Sequence, residues 1–404
     1  MASKLPRQAK LFGVISLLND FASEMVYPLL PAFVTVVLGA GPAALGVLDG
    51  AADFASAGVK IVAGRLADRP SRRGPLVVLG YAVAVAVRPL IAFTGAAWHV
   101  IALRVVDRLG KGVRTPPRDA IIADATPPDV LGRAFGLQRG LDHVGAVIGP
   151  LVAWWMLSSG RADVRGVIAA SIVPGVAVLV LAVWAVKDGG RRGRTGKGGE
   201  GTASSPSSPV FPRLPPSSPV LTPALLAIAA FYLLRMPETL VILRAQQLGV
   251  PVALVTVLWA ALHVVKAGTS FLGGDLSDRL GPRRAMWLGW AAYAALAAGF
   301  ALADRASHAW ALFLALGVVA GLTESPERAL VAETAAERRG TGFGVYHAAT
   351  GVAALAGGLA LGTLYQSVSG TAAFWASAAA GLVLTVFWPA LWGARPGPGG
   401  VARS

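Results

Sequence analysis

The sequence predicts an all-α membrane protein of twelve transmembrane helices in two pseudo-symmetric six-helix bundles. Three observations lead there. Of 404 residues, 55% are hydrophobic and only 14% charged, with a mean hydropathy of +0.62, where ordinary chains carry about 25% charged residues. Apolar runs such as LVVLGYAVAVAVRPLIAF and AAFWASAAAGLVLTVFWPALW recur, each long enough to cross a hydrocarbon core of roughly 30 Å. Two motifs also repeat at nearly one offset. GRLADRPSRR at 64–73 returns as GDLSDRLGPRR at 274–284, an offset of 210 (278 − 68) between Asp68 and Asp278. PRDAIIADATPPDVLGRAFGLQ from Pro117 returns as PERALVAETAAERRGTGFGVY from Pro326, an offset of 209 (326 − 117). A duplicated six-helix unit accounts for both.

The first predicted helix, 11–38, follows Lys4, Arg7 and Lys10 and stops at GAGP. It contains Asp20 and Glu24 and lacks a small-residue cleavage site, so it reads as a retained span rather than a signal peptide. Helix 44–66 runs into a basic loop with Arg69, Arg72 and Arg73, and 76–96 ends at the uncharged TGAA. Helices 98–123, 133–157 and 164–186 complete a first bundle, 1–186. Residues 187–220, rich in Gly, Ser, Pro and basic residues, read as a flexible linker. Helices 221–246, 251–272, 285–303, 308–333, 341–366 and 371–393 make the second bundle, 221–404. Lys and Arg outside the helices fall mostly in alternate loops, which places both termini in the cytoplasm of a cell enclosed by this inner (cytoplasmic) membrane. That pattern accounts for the net charge of +15 without a nucleic-acid partner. The absence of Cys excludes disulfides and thiolate metal sites.

The stretch RVVDRLGKGVRTPPR, 104–118, lies between apolar runs. On a helix, Arg104, Asp107, Arg108, Lys111 and Arg114 form one charged stripe. Facing lipid, each charge would cost roughly 2.5–3.5 kcal/mol, so the stripe must face a polar interior. Other helices contribute to that interior: Asp49, Asp53 and Lys60 on the second, Arg139, Asp142 and His143 on the fifth, and Glu327 and Arg328 on the tenth. Helices nine and twelve carry no interior charge, helix six only at its ends, and helix three only Arg88. Every third helix is therefore predicted to face lipid.

The whole chain resembles the major facilitator superfamily. Gly64, Leu66, Asp68, Arg69, Arg72 and Arg73 look like its loop signature G-x-L-x-D-R-x-G-R-R, with Ser71 in place of the second Gly. Gly274, Leu276, Asp278, Arg279, Gly281, Arg283 and Arg284 give a second copy. Gly136, Gly145, Gly149 and Pro150 resemble the start of the family's antiporter motif, G-x8-G-x3-G-P, whose final Gly pair is replaced by Ala153 and Trp154. The resemblance implies a secondary active transporter working by alternating access. It also implies conformational roles for Asp68, Arg69, Asp278 and Arg279, against plain topogenic charge, and for Gly149 and Pro150, against close packing alone.

Asp20 and Glu24 lie one turn apart at mid-helix. A carboxylic acid removed from water keeps its proton more readily, which suits proton coupling, with a permanent ion pair to the stripe as the alternative. Asp142 and Glu324 are the next coupling candidates. Arg104, Arg108 and Lys111 suit an anionic substrate group, or pair with nearby acids instead. Arg235, Glu238, His263 and Lys266 supply a matching wall, with Pro237 disrupting its helix. The reading is a monomeric, proton-coupled exporter of a small molecule, with import of an anionic solute as the alternative. Without a helical HExxH, a GxSxG or a glycine-rich phosphate loop, no enzyme is expected, and neither a metal nor a cofactor. Because the chain has no Cys, Ser205→Cys gives a single reporter in the linker. An impermeant thiol reagent added outside intact cells is expected to leave it unmodified until the membrane is permeabilised.

Overall fold

The computed structural model describes residues 5–67, 69–126, 131–195, 222–334 and 339–393, and among these the chain folds into helices without a strand. Twelve helical passes follow the predicted order: α1 (Arg7–Val37), α2 (Pro42–Ala67), α3 (Pro70–Phe93) and α4 (Ala97–Asp124). Then come α5 (Leu131–Ser158), α6 (Val164–Ala170 continued by Ile172–Thr195) and α7 (Pro223–Leu234 continued by Glu238–Gln247). The chain ends with α8 (Val252–Leu280), α9 (Pro282–Leu302), α10 (Ala306–Thr334), α11 (Arg339–Ser367) and α12 (Gly370–Gly393). The end of the molecule holding Arg7 is called the near end, and the opposite one the far end. Asp68, most of the 187–220 segment and the side chain of Asp278 lie outside the described residues.

The pairings repeat between bundles. In the first, α1 packs on α5 and α6, α2 on α4, and α3 on α4 and α6. In the second, α7 packs on α11 and α12, α8 on α10, and α9 on α10 and α12. The bundles meet along α2–α11 and α5–α8. Small residues set the first of these seams. A Cβ added to Gly46 would lie 1.9 Å from the Gly358 carbonyl oxygen, and one added to Gly358 would lie 2.2 Å from that of Gly46. Only glycine permits such backbone contact. Around it, Leu30, Phe33, Val34, Leu45 and Leu48 bury themselves with Leu240, Ile242 and Trp259 in one apolar cluster shared by both bundles. This cluster closes the far end. Towards the near end, a Cβ added to Gly58 or Gly64 on α2, or to Gly268 on α8, would meet open space.

Among the described residues, ten helical stretches are long and apolar enough to cross a membrane; α2 and α4 fall outside that set. Both carry interior charge, which lowers their hydropathy, although each also exposes apolar side chains: Phe54 and Val62 on α2, Trp98 and Val106 on α4. Helices α6 and α12 show the outward apolar face expected of them, with Val173, Val176, Val180 and Trp184 exposed on α6 and Trp375, Leu382, Val386 and Phe387 on α12. Exposure is not confined to every third helix, however: α5 exposes Val144, Ile148, Leu151, Trp154 and Trp155. Helix α6 also runs to Thr195, past its predicted end at 186, through a segment with no proline to stop it before Pro206.

Helix α3 is the exception to lipid-facing chemistry. Its outer side exposes Leu79, Leu90 and Phe93, yet Arg88 points inward and is buried. Arg88 Nε donates to Asp107 Oδ1 at 2.9 Å, and its Nη1 donates to the Asn19 backbone oxygen at 3.1 Å. Arg104 Nη1 donates to Asp107 Oδ2 at 3.2 Å. One carboxylate thus pairs with two guanidinium groups and, with Arg88 on Asn19, ties α1, α3 and α4 together. Asp107→Ala strands both cations in a low-dielectric interior, at about 3–5 kcal/mol. A markedly lowered unfolding temperature in detergent, larger than that of Asp107→Asn, is the expected result.

Candidate substrate cavity

Between the bundles lies a cavity of about 260 Å³. Its first-bundle wall is Glu24 and Tyr27 on α1, Asp49 and Asp53 on α2, and Arg104, Arg108 and Lys111 on α4. The second-bundle wall is Tyr232, Arg235 and Glu238 on α7, with Trp259, His263 and Lys266 on α8.

The stripe on α4 behaves as its spacing requires. Asp107 holds one nitrogen of Arg104, whose guanidinium also lies 4.8 Å from the centre of the Tyr27 ring, an attractive cation–π distance. Arg104 Nε and Nη2 and Arg108 Nε are buried and donate to no protein atom. Unspent donors in a cavity wall are where an acceptor-rich group gains most. Further along α4, Arg114 lies over the Tyr81 ring at 4.6 Å and Arg118 bonds Asp119 and Ser16, and neither lines the cavity.

The opposite wall depends on a broken helix. Helix α7 stops at Leu234 and restarts at Glu238; the Arg235 N–H still closes the first segment on the Phe231 carbonyl and the Pro237 carbonyl opens the second, so the Met236 N–H and the Leu234 carbonyl fall at the break. Its polar groups find partners on the lipid-facing helices. The Met236 N–H donates to Tyr293 Oη at 2.6 Å, Tyr293 and Ser377 hydroxyls lie 2.7 Å apart, and Ser377 Oγ donates to the Leu234 carbonyl at 2.6 Å. Irregular backbone at this depth persists only where it lines a cavity and is satisfied. The break turns Arg235 and Glu238, 3.7 Å apart, into the cavity.

Contacts across the cavity centre on Glu24. Trp259 Nε1 donates to Glu24 Oε2 at 2.9 Å, and His263 Nε2 lies 3.9 Å from the same oxygen. The Tyr27 and Trp259 rings, 5.0 Å apart, cover this contact.

Eight of the sequence-predicted residues therefore share one cavity: Glu24, Arg104, Arg108, Lys111, Arg235, Glu238, His263 and Lys266. Asp20 and Asp142 do not line it. Asp20 accepts from Asn19 Nδ2 at 2.9 Å, and Asp142 accepts from Gln138 Nε2 at 2.7 Å. Glu324 borders a small side pocket next to the cavity, paired with Lys266 at 2.6 Å. Arg69 and Arg279 sit exposed at the near end, and Arg73 beside Arg69 pairs with Asp124 of α4. Gly149 packs against α1, where an added Cβ would meet the Phe21 carbonyl at 2.4 Å; Pro150 follows within the same helix. Sequence reasoning missed the roles of Tyr27 and Trp259, which sit in apolar runs and carry no distinguishing spacing; it placed Asp49 and Asp53 in the polar interior, as found, without their partners. It also missed the carboxyl–phenol contact in which Tyr346 Oη donates to Glu327 Oε1 at 2.5 Å. Arg88 did leave a signal: a lone Arg in an apolar helix requires an acidic partner.

A sequence model of the Major Facilitator Superfamily matches residues 12–336 and 239–404. An uncharacterized MFS-type transporter of Methanocaldococcus jannaschii is 27% identical over 371 residues, covering 90% of this chain and 89% of the relative. Multidrug resistance protein MdtH of Photorhabdus laumondii is 30% identical over 158 residues, 38% of this chain and 39% of that one. Among solved structures, nucleoside transporter NupG superposes with a TM-score of 0.73 at 12% identity, covering 96% of this chain and 100% of that one. At that identity the likeness concerns the fold.

Tyr293→Phe tests how the cavity wall is held. It leaves the Met236 N–H and the Ser377 hydroxyl short of a partner, a loss of about 1–3 kcal/mol. A thermal shift assay is expected to show a lower midpoint, and Ser377→Ala in the same background should add less than it does alone.

Proposed function

The chain belongs to the major facilitator superfamily, and on that premise we propose that it exports a small charged molecule across the cytoplasmic membrane in exchange for protons. The observation that carries this reading is the cavity itself. It is walled by both bundles, closed at the far end, and lined by buried guanidinium donors that no protein acceptor uses. Alternating access needs a site shared between two bodies that rock about it. We assign those bodies to 1–186 and 221–404, with 187–220 as a cytoplasmic tether, and take the near end as cytoplasmic. The protein then acts as a monomer, with its cavity open to the cell interior.

In this reading Arg104, Arg108 and Lys111 take an anionic group of the substrate, while Arg235, Glu238, His263 and Lys266 hold its remainder. Glu24 carries the coupling proton. Its contacts to Trp259 and His263 bridge the bundles, so protonation there alters a cross-bundle contact and the affinity of nearby Arg108 for an anion together. Asp20 and Asp142, on the same side of the first bundle, and Glu324 beside Lys266 serve as relays. Direction is supported by the glycine–proline pattern of α5 and by the partial likeness to a multidrug resistance protein. The basic face of the cavity favours a second reading, uptake of an anionic solute.

Inside-out vesicles with an acidic lumen, given a panel of drugs and organic anions, test both readings. Export predicts accumulation that collapses with the pH gradient. Arg108→Ala is expected to weaken binding of an anionic substrate by about tenfold or more. Glu24→Gln should abolish gradient-driven accumulation and retain binding. Gradient-driven uptake persisting in both Glu24→Gln and Asp20→Asn would remove these carboxylates from coupling.

A further inference from the structure

The restart of α7 exposes a helix N-terminus inside the membrane. Its first backbone N–H groups have no partners within the helix, and the residue at the capping position, Pro237, offers no side-chain acceptor. The missing cap comes from the other bundle. Asp49 Oδ2 accepts from the Thr239 backbone N–H at 3.0 Å and from Thr239 Oγ1 at 2.8 Å, while Asp49 Oδ1 accepts from Tyr27 Oη at 3.0 Å. Thr239 Oγ1 also lies 3.2 Å from the Leu45 carbonyl oxygen, so its hydroxyl stays on α2 in either orientation.

We propose that Asp49 is a positioning residue for transport: a cross-bundle helix cap that holds the far end shut while the cavity is open at the near end. The carboxylate and the helix dipole attract at the cavity wall, where the apolar cluster backs them on the far side. Its location is what makes the cap specific to one state. Asp49 lies one turn from Gly46, where α2 and α11 touch through backbone, so the bond to Thr239 exists only while the bundles are in contact at the far end. Parting them there removes the acceptor from the Thr239 N–H and returns Asp49 to Tyr27 alone. The closed far end is thus stabilised by a bond that opening must break, and the two walls of the cavity are linked directly at the point where α7 is discontinuous.

The proposal rests on the alternating-access reading, and the test separates the two. Pairs of spin labels are placed on a chain free of native Cys: Val36 and Val368 report the far end, Ser71 and Leu280 the near end, all four exposed. Distance distributions by pulsed electron resonance need no substrate. Asp49→Asn keeps the shape and removes the negative charge that the N-terminus of the restarted helix attracts. It is expected to shift the ratio of far-open to far-closed molecules about tenfold towards open, with the near-end pair drawing together as the far-end pair separates. Thr239→Val should act in the same direction and more weakly, and the double variant should move no further than Asp49→Asn. If Asp49→Asn fails to fold, Thr239→Val alone decides by its direction.

Gly46→Leu, which forces a side chain against the Gly358 carbonyl, serves as the opening control. Far-end opening by Gly46→Leu with no change in Asp49→Asn or Thr239→Val overturns the latch and leaves alternating access standing. No opening in any variant overturns both. Loss of order without the reciprocal change at the near end reduces Asp49 to a purely structural role and also rejects the proposal.

Discussion

A charge surrounded by lipid must find a partner or water, and much of this architecture follows from that constraint. Helix α4 carries more charge than a span tolerates, so it packs against α2 and α3. Packing alone leaves like charges in contact, and Asp107 resolves part of the conflict by lying between Arg88 and Arg104 and pairing with both. One acid between two guanidinium groups leaves a positive excess. Arg104 and Arg108 carry that excess on the cavity wall, with buried N–H groups that no protein acceptor uses. Structural pairing and binding capacity are therefore two consequences of one arrangement.

The two bundles solve the polar problem differently. In the first, ions balance ions. In the second, hydroxyl groups do much of the work: Tyr293 and Ser377 satisfy the broken backbone of α7, and Tyr346 holds the buried Glu327. A hydroxyl both donates and accepts and carries no charge, so it can satisfy exposed backbone without a counter-ion. The second bundle can thus afford a discontinuous helix, while the ion-paired first bundle keeps its stripe on a continuous one. The duplicated sequence units have kept their packing pattern and diverged in chemistry.

The division between what sequence reveals and what it hides follows range. Apolar length, alternate-loop charge and the offset between Asp68 and Asp278 are local or periodic, and they were enough for twelve helices in two bundles. The stripe from Arg104 to Arg114 was legible because a helix places its members on one face whatever surrounds them. The Met236–Pro237 break was legible because proline removes a donor from any helix. The pairing of Arg88 with Asp107 and of Asp49 with Thr239 was not, since each joins helices whose rotation about their axes is set by tertiary packing. Glu24 shows the boundary. Its position at mid-helix marked it as functional, yet nothing in sequence indicated that Trp259, rather than the basic stripe, would supply its hydrogen bond.

Glycine contacts and polar contacts at the far end serve separate purposes. The Gly46–Gly358 approach brings two backbones together without direction, since dispersion falls away smoothly as they part. A hydrogen bond to a charged acceptor is short-ranged and angular, so it distinguishes a seated interface from one that is nearly seated. An interface built from glycine alone would close gradually and loosely. One closed by Asp49 on Thr239 closes at a defined geometry, which is what a cavity needs if its two charged walls are to meet a substrate in register. The same bond lies beside the broken segment of α7, which sets Arg235 and Glu238 in one cavity with Arg104 and Arg108.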